Sequence, residues 1–296
     1  MRHSSGEEFT LAVRELAFAA GGLGFRLFPS ALWLSALLTE RWQLLAAQYV
    51  HVRVLELGAG LAAVGLSAAL CGAHAVTLTD FNSGLLRACS AAAAENGVSE
   101  RVQVAFCDWA EEAGAPAAAE SDANPEFFRV KAQEEAEAQP WAARLPPAAQ
   151  FELVLATEVL YEAFAARALP PLIGRRLARP GGRFMTLMAV RDLAILREFV
   201  RGLCAQPGLR VAICSVARLQ LPSTPAPVRA PGLPFCDGIP AWMSAAECDA
   251  AVMAGGDGCG AWVEALAESG ERAEPPVGPC CSRRARGFAC PCATRK

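Results

Sequence analysis

The stretch VRVLELGAGLAAVGLSAALCGAHAVTLTDFN, Val52–Asn82, constrains the fold more than any other part of the chain. An apolar run, VRVLEL, meets Gly58 and Gly60. A small-residue segment follows and ends near Gly72, and a second apolar run stops at Asp80. This reads as strand, glycine turn, helix, strand, and two strands joined by a crossover helix lie parallel. Glycine in such a turn lets a ligand approach backbone that a Cβ would shield. Asp80, about twenty residues on, stands where a carboxylate accepts the hydroxyl hydrogens of a ribose.

The alternation continues on both sides. Upstream, FPSALWLSALLTERWQLLA, Phe28–Ala46, carries one apolar helical face, with Pro29 and Ser30 at its start. Downstream, Ser83–Gly97 reads as a helix with Ser83 as N-cap and Gly97 as C′ residue, and RVQVAFCDW as a third strand. Residues 110–150, rich in Ala, Glu and Pro, read as an inserted surface loop. FELVLATEVLY is a fourth strand. AFAARALPPLIGRRLARPGGR is a helix broken near Pro170–Pro171. RFMTLMAV, LAILREFVRGLCA and LRVAICSVA are strand, helix and strand.

The expected fold is therefore α/β: a Rossmann-like, doubly wound, mostly parallel sheet. Residues 1–50 form a helical N-terminal segment, 51–221 the ligand-binding domain, and 222–296 a Pro/Gly/Cys-rich, largely irregular extension.

Composition removes several function classes. The chain has 296 residues, 53% hydrophobic and 19% charged, which is globular rather than disordered. A net charge of −3 gives no basic footprint for nucleic acid. The longest uncharged apolar stretch, Leu57–Ala73, is short and glycine-rich for a membrane span. MRHSSGEEFTLAV holds no apolar core of signal-peptide length, so a cytoplasmic or nuclear protein is expected. Of the 12 cysteines, Cys71, Cys89, Cys107, Cys204 and Cys214 are scattered singly and read as buried thiols. Cys280, Cys281, Cys290 and Cys292 lack the spacing of a zinc site, and no metal is expected.

Each of the first four strands carries a carboxylate at or near its end: Glu56, Asp80, Asp108 and Glu158. In a doubly wound sheet that edge forms the ligand crevice. GAGLAA also satisfies G-x-G-x-x-A, so a nicotinamide-dependent oxidoreductase stays open at this point. Glu56 argues against it, because a diphosphate prefers a helix N-terminus free of nearby negative charge. A ligand with an ammonium and a sulfonium suits Glu56 better. S-adenosylmethionine is such a ligand. Asp108 is placed to accept from its adenine amino group, and Trp109 to lie against the ring.

VLELGAG, LTDFN, CDW and ATEVLY, in this order, resemble the seven-strand, S-adenosylmethionine-dependent methyltransferases. Within them the chain is similar to the branch that modifies lysine or histidine side chains of proteins. The resemblance covers about residues 25–215. It implies cofactor binding by Phe28, Glu56, Gly58, Ala59, Gly60, Asp80, Phe81, Asn82, Asp108, Trp109 and Thr157. It implies that Glu158 and Tyr161 orient the target nitrogen, with a protein as substrate and the enzyme a monomer. Ala62 stands where the family has a third glycine, and Phe28 replaces a tryptophan. A seventh strand antiparallel to the sixth is expected, with GAWVEAL the candidate. A small-molecule methyltransferase and a cofactor-binding scaffold without activity are the alternatives.

Overall fold

The computed structural model describes residues 10–113, 141–216, 243–255 and 260–268. Its helices are α1 (Phe18–Gly21), α2 (Pro29–Ala46), α3 (Ala63–Leu70), α4 (Ser83–Glu95), α5 (Trp109–Ala113), α6 (Ala163–Arg176), α7 (Leu193–Cys204) and α8 (Ala245–Gly255). Its strands are β1 (Arg53–Leu57), β2 (Ala75–Asp80), β3 (Val102–Phe106), β4 (Ala143–Arg144), β5 (Leu153–Thr157), β6 (Arg183–Ala189), β7 (Leu209–Val216) and β8 (Gly260–Ala267). They form one sheet in the order β4-β3-β2-β1-β5-β6-β8-β7. β1 through β6 pair in parallel, and β8 runs antiparallel between β6 and β7.

Strand alternation divides the core. Val54, Val76, Leu78, Leu153, Leu155 and Trp262 face α2, α3 and α4. Leu55, Leu57, Val154, Ala156, Phe184 and Val263 face α6, α7 and α8. Both faces of a parallel sheet need cover, which is why these strands read as continuous apolar runs. α2 starts with Pro29 at its first helical position, as its sequence implies. Within the core its Ser35 hydroxyl donates to the Ala63 carbonyl at 3.1 Å.

The doubly wound parallel sheet and the GAWVEAL strand agree with the sequence reading. Four expectations change. The extension from 222 is not wholly irregular, because α8 and β8 complete the sheet. The insertion is not all surface: Ala142 and Leu145 are buried. α6 runs unbroken through Pro170 and Pro171, held by Leu169, Pro170, Leu172 and Ile173 buried against its neighbours. The N-cap of α4 is Asn82, whose Oδ1 accepts from the Leu85 N–H at 2.8 Å, and Ser83 is the first helical residue. The body of the insertion, 114–140, and the cysteines from 280 onward lie outside the described residues. Among the described residues no single helix is long and apolar enough to cross a membrane.

Candidate active site

The register brings the ends of β1, β2 and β5 to one edge of the sheet. Beyond that edge lies a cavity of about 310 Å³. Gly58, Ala59, Gly60, Asp80, Phe81, Asn82, Trp109 and Thr157 line it, as does Phe28 from the N-terminal segment. Glu158 and Tyr161 complete the wall. Residues far apart in sequence thus meet around one cavity.

The glycine turn is stitched to β2. The Ala59 N–H donates to the Thr79 carbonyl at 2.8 Å, and the Gly60 N–H to Asp80 Oδ2 at 3.1 Å. Asp80 Oδ1 accepts from the Asn82 N–H at 3.0 Å. Asp80 thus ties the turn to the start of α4 while its carboxylate stands on the cavity wall, where a carboxylate can meet ligand hydroxyls. Gly58 has φ +63°, and a Cβ there would meet the Trp109 ring at 2.9 Å. Glycine is therefore required twice over at this position. Ala62 also has positive φ, 60°, which explains why glycine would suit it.

Two residues fall elsewhere. Glu56 does not line the cavity. Its side chain points to the α3 face of the sheet, 2% exposed, where Oε2 accepts from the Gly65 N–H at 2.8 Å. Burial pushes its pKa up to about 8, against the pull of the Gly65 and Val64 amides. It acts as a cap on the N-terminus of α3. The argument against a dinucleotide that rested on Glu56 therefore falls, because the residue is buried on the α3 face and does not meet a ligand in the cavity. Asp108 lines a smaller adjoining pocket, with Cys107, Trp109 and Tyr161. Trp109 and Tyr161 border both spaces.

Glu158 is held in a left-handed conformation, φ 52°. Its Oε1 accepts from the Ala189 N–H at 2.8 Å, and its Oε2 from the Arg191 guanidinium at 3.0 Å. A bulky residue in this region of backbone space is strained, and such strain concentrates at functional sites. Tyr161 is largely withdrawn from solvent, and burial raises its pKa, so it stays a neutral phenol.

Sequence reasoning missed three contributors. The segment Gly21–Leu27, ahead of the predicted Phe28, closes one side of the cavity. A Cβ on Gly24 would come within 3.2 Å of the Gly60 Cα, so this segment sits directly on the glycine turn. The glycine cluster at 21, 22 and 24 is the signal that could have located it. Cys89 is fully buried and its thiol donates to the Gly60 carbonyl at 3.3 Å. Arg191 reaches the cavity from the end of β6.

Comparison with known proteins gives one family match and several likenesses to solved structures. The family described as lysine methyltransferase matches residues 7–123. No curated protein sequence gives a significant match. Among solved structures the chain is similar to an O-methyltransferase from Bacillus cereus in complex with SAH. That likeness has TM-score 0.46 and 10% identity, covering 84% of this chain and 85% of that one. It is also similar to the O-methyltransferase TomG from Streptomyces achromogenes in complex with SAM, with TM-score 0.44 and 13% identity over 82% of each chain. The residues present fit S-adenosylmethionine: a glycine turn without side chains at Gly58 and Gly60, and the Asp80 carboxylate on the same cavity wall at the end of β2. Over residues 7–123 the chain is similar to the lysine methyltransferase family, and that stretch carries the glycine turn and the Asp80 that line the cavity, an arrangement that supports S-adenosylmethionine-dependent methyl transfer.

Proposed function

We propose that the enzyme is a protein N-methyltransferase acting on a lysine or histidine side chain. The observation that carries this reading is the Glu158 carboxylate on the cavity wall, beside Tyr161, already engaged by a cationic side chain, Arg191, at 3.0 Å. A carboxylate that accepts a guanidinium can equally accept the N–H of an ammonium or imidazolium. The family description, lysine methyltransferase, supports lysine as the acceptor.

When bound, the cofactor supplies a methyl group on a sulfonium, and the acceptor nitrogen must arrive neutral and aligned. Asp80 and the glycine turn fix the adenosine end, and Asp108 with Trp109 is assigned to the adenine. Phe81, Asn82 and Thr157 shape the walls. Glu158 is assigned to holding the incoming nitrogen by its hydrogen and receiving the proton it sheds. Tyr161 closes the wall and excludes water. Such alignment and desolvation are what the protein contributes to transfer chemistry of this kind. The free thiols among the described cysteines support a cytoplasmic or nuclear setting.

The test is incubation with labelled cofactor and a cell lysate, followed by mass spectrometry of the labelled residue. Label on lysine or histidine of a protein is expected. Label confined to the small-molecule fraction would transfer the assignment to a small-molecule methyltransferase. Glu158→Gln and Tyr161→Phe should each cut turnover by about 10²–10⁴ while leaving affinity for S-adenosylhomocysteine nearly intact. Equal loss of binding and turnover would move Glu158 into the cofactor shell.

A further inference from the structure

The cavity carries an uneven set of charges. Arg26, Asp80, Glu158, Glu162 and Arg191 line it. Arg191 is committed to Glu158. Asp80 is committed to the turn. Arg26 is different. Its guanidinium lies 5.7 Å from the Phe25 ring centroid and 5.5 Å from that of Phe28. No ion pair joins it to a carboxylate among the described residues. Two aromatic rings hold a cation at the rim, and no acidic side chain there uses it.

We infer that Arg26 anchors the α-carboxylate of the bound cofactor; this rests on the S-adenosylmethionine reading of the cavity. The carboxylate is the single anionic group of that ligand. Beside Asp80 and Glu158 it would be repelled, so it needs a positive partner elsewhere in the cavity. Arg26 belongs to the segment that sits on the glycine turn, since Gly24 there all but touches Gly60. The same corner holds the positive end of α2, whose 18 residues start directly after Phe28, and Ala31 of its first turn lines the cavity. A guanidinium stacked on ring faces keeps its N–H donors in its own plane, free for a planar carboxylate. Arg26 thus sets which ligands the site accepts: adenosyl amino acids over adenosyl compounds lacking the carboxylate.

The experiment is calorimetry on the full chain with two probes. S-adenosylhomocysteine carries the carboxylate, and 5′-methylthioadenosine lacks it. Arg26→Gln should weaken S-adenosylhomocysteine by about 5–20-fold, the range between an exposed ion pair and a charge-assisted hydrogen bond. It should leave methylthioadenosine unchanged, and Arg26→Lys should recover part of the loss. Equal weakening of both ligands would show that Arg26 only props the Phe25–Phe28 wall, overturning the assignment. So would an unchanged affinity for both, or a selective loss in Arg191→Gln instead of Arg26→Gln. A wild-type protein that binds neither ligand would sink the cofactor reading itself, a result distinct from these.

Discussion

Glu56 shows what residue identity alone can and cannot reveal. A carboxylate inside the first apolar strand is visible in the sequence as an anomaly, but the face it takes is decided by strand alternation. Val54 and Glu56 share the α3 face, while Leu55 and Leu57 take the other. Asp80, by contrast, was legible because the last residue of a strand reaches the crevice whichever face it takes. The burial of Glu56 has a consequence for stability. Its ordinary pKa of 4.5 rises to about 8 in the folded protein, chiefly through desolvation. The folded state therefore keeps this proton to higher pH than the unfolded chain. That contribution is complete below about pH 4.5 and is lost as pH rises through about 8. The expected slope is a loss of up to about 1.4 kcal/mol per pH unit across that window. Glu56→Gln cannot ionise, keeps an acceptor for the Gly65 N–H, and should flatten the slope. Urea unfolding at pH 5, 6.5 and 8 measures it. Parallel pH dependences in both proteins would show that Glu56 titrates normally.

At the scale of elements, the strands and helices of the parallel half follow from hydrophobic periodicity and glycine punctuation. The errors arise where packing overrides local preference. Two adjacent prolines read as a helix break because each lacks an N–H donor and crowds the preceding turn. Here α6 continues because its apolar side is seated against α7, and Gly202 of α7 leaves room for the Pro170 ring. A Cβ on Gly202 would come 2.7 Å from Pro170 Cγ and 3.0 Å from its Cβ. Two effects then compete in Gly202→Ala. Alanine gains about 1 kcal/mol of helix propensity over glycine. Overpacking against a rigid ring costs about 1–3 kcal/mol. The clash should win, lowering stability by about 1 kcal/mol in chemical denaturation. Pro170→Ala should relieve the clash, so the double variant should recover most of that loss. A single variant more stable than wild type would mean that α6 and α7 are spaced more widely than described.

The whole molecule poses the question of what completes the domain. The residues lining the cavity run from Phe18 to Arg191, and the family match ends at 123. On those limits the C-terminal part looks dispensable. The sheet says otherwise. β7 reaches β6 only through β8, which pairs with β6 from Gly260 to Leu266 and with β7 from Gly260 to Ala267. Trp262 on one face and Val263 and Ala265 on the other are buried in the two halves of the core. GAWVEAL carried only a faint strand signal because one charged residue, Glu264, interrupts it. In the fold that residue is buried and paired with Arg183 of β6 at 3.1 Å. Ending the chain at residue 242 would remove α8 and β8 together, detach β7 from the sheet, and leave β6 as an open apolar edge. Such an edge invites aggregation. The truncated chain is expected to be insoluble or to show no cooperative unfolding. Deleting residues 114–140 alone should leave a folded protein that binds S-adenosylhomocysteine as the full chain does, because shortening a connection changes loop-closure entropy little. This deletion spares Glu112, Arg144, Leu145 and Arg176, which tie the ends of the insertion to α6 and the core. Calorimetry and circular dichroism on the two shortened chains decide the matter. A chain ending at 242 that binds S-adenosylhomocysteine with full affinity would show that β8 is an appendage and that the domain is complete without it.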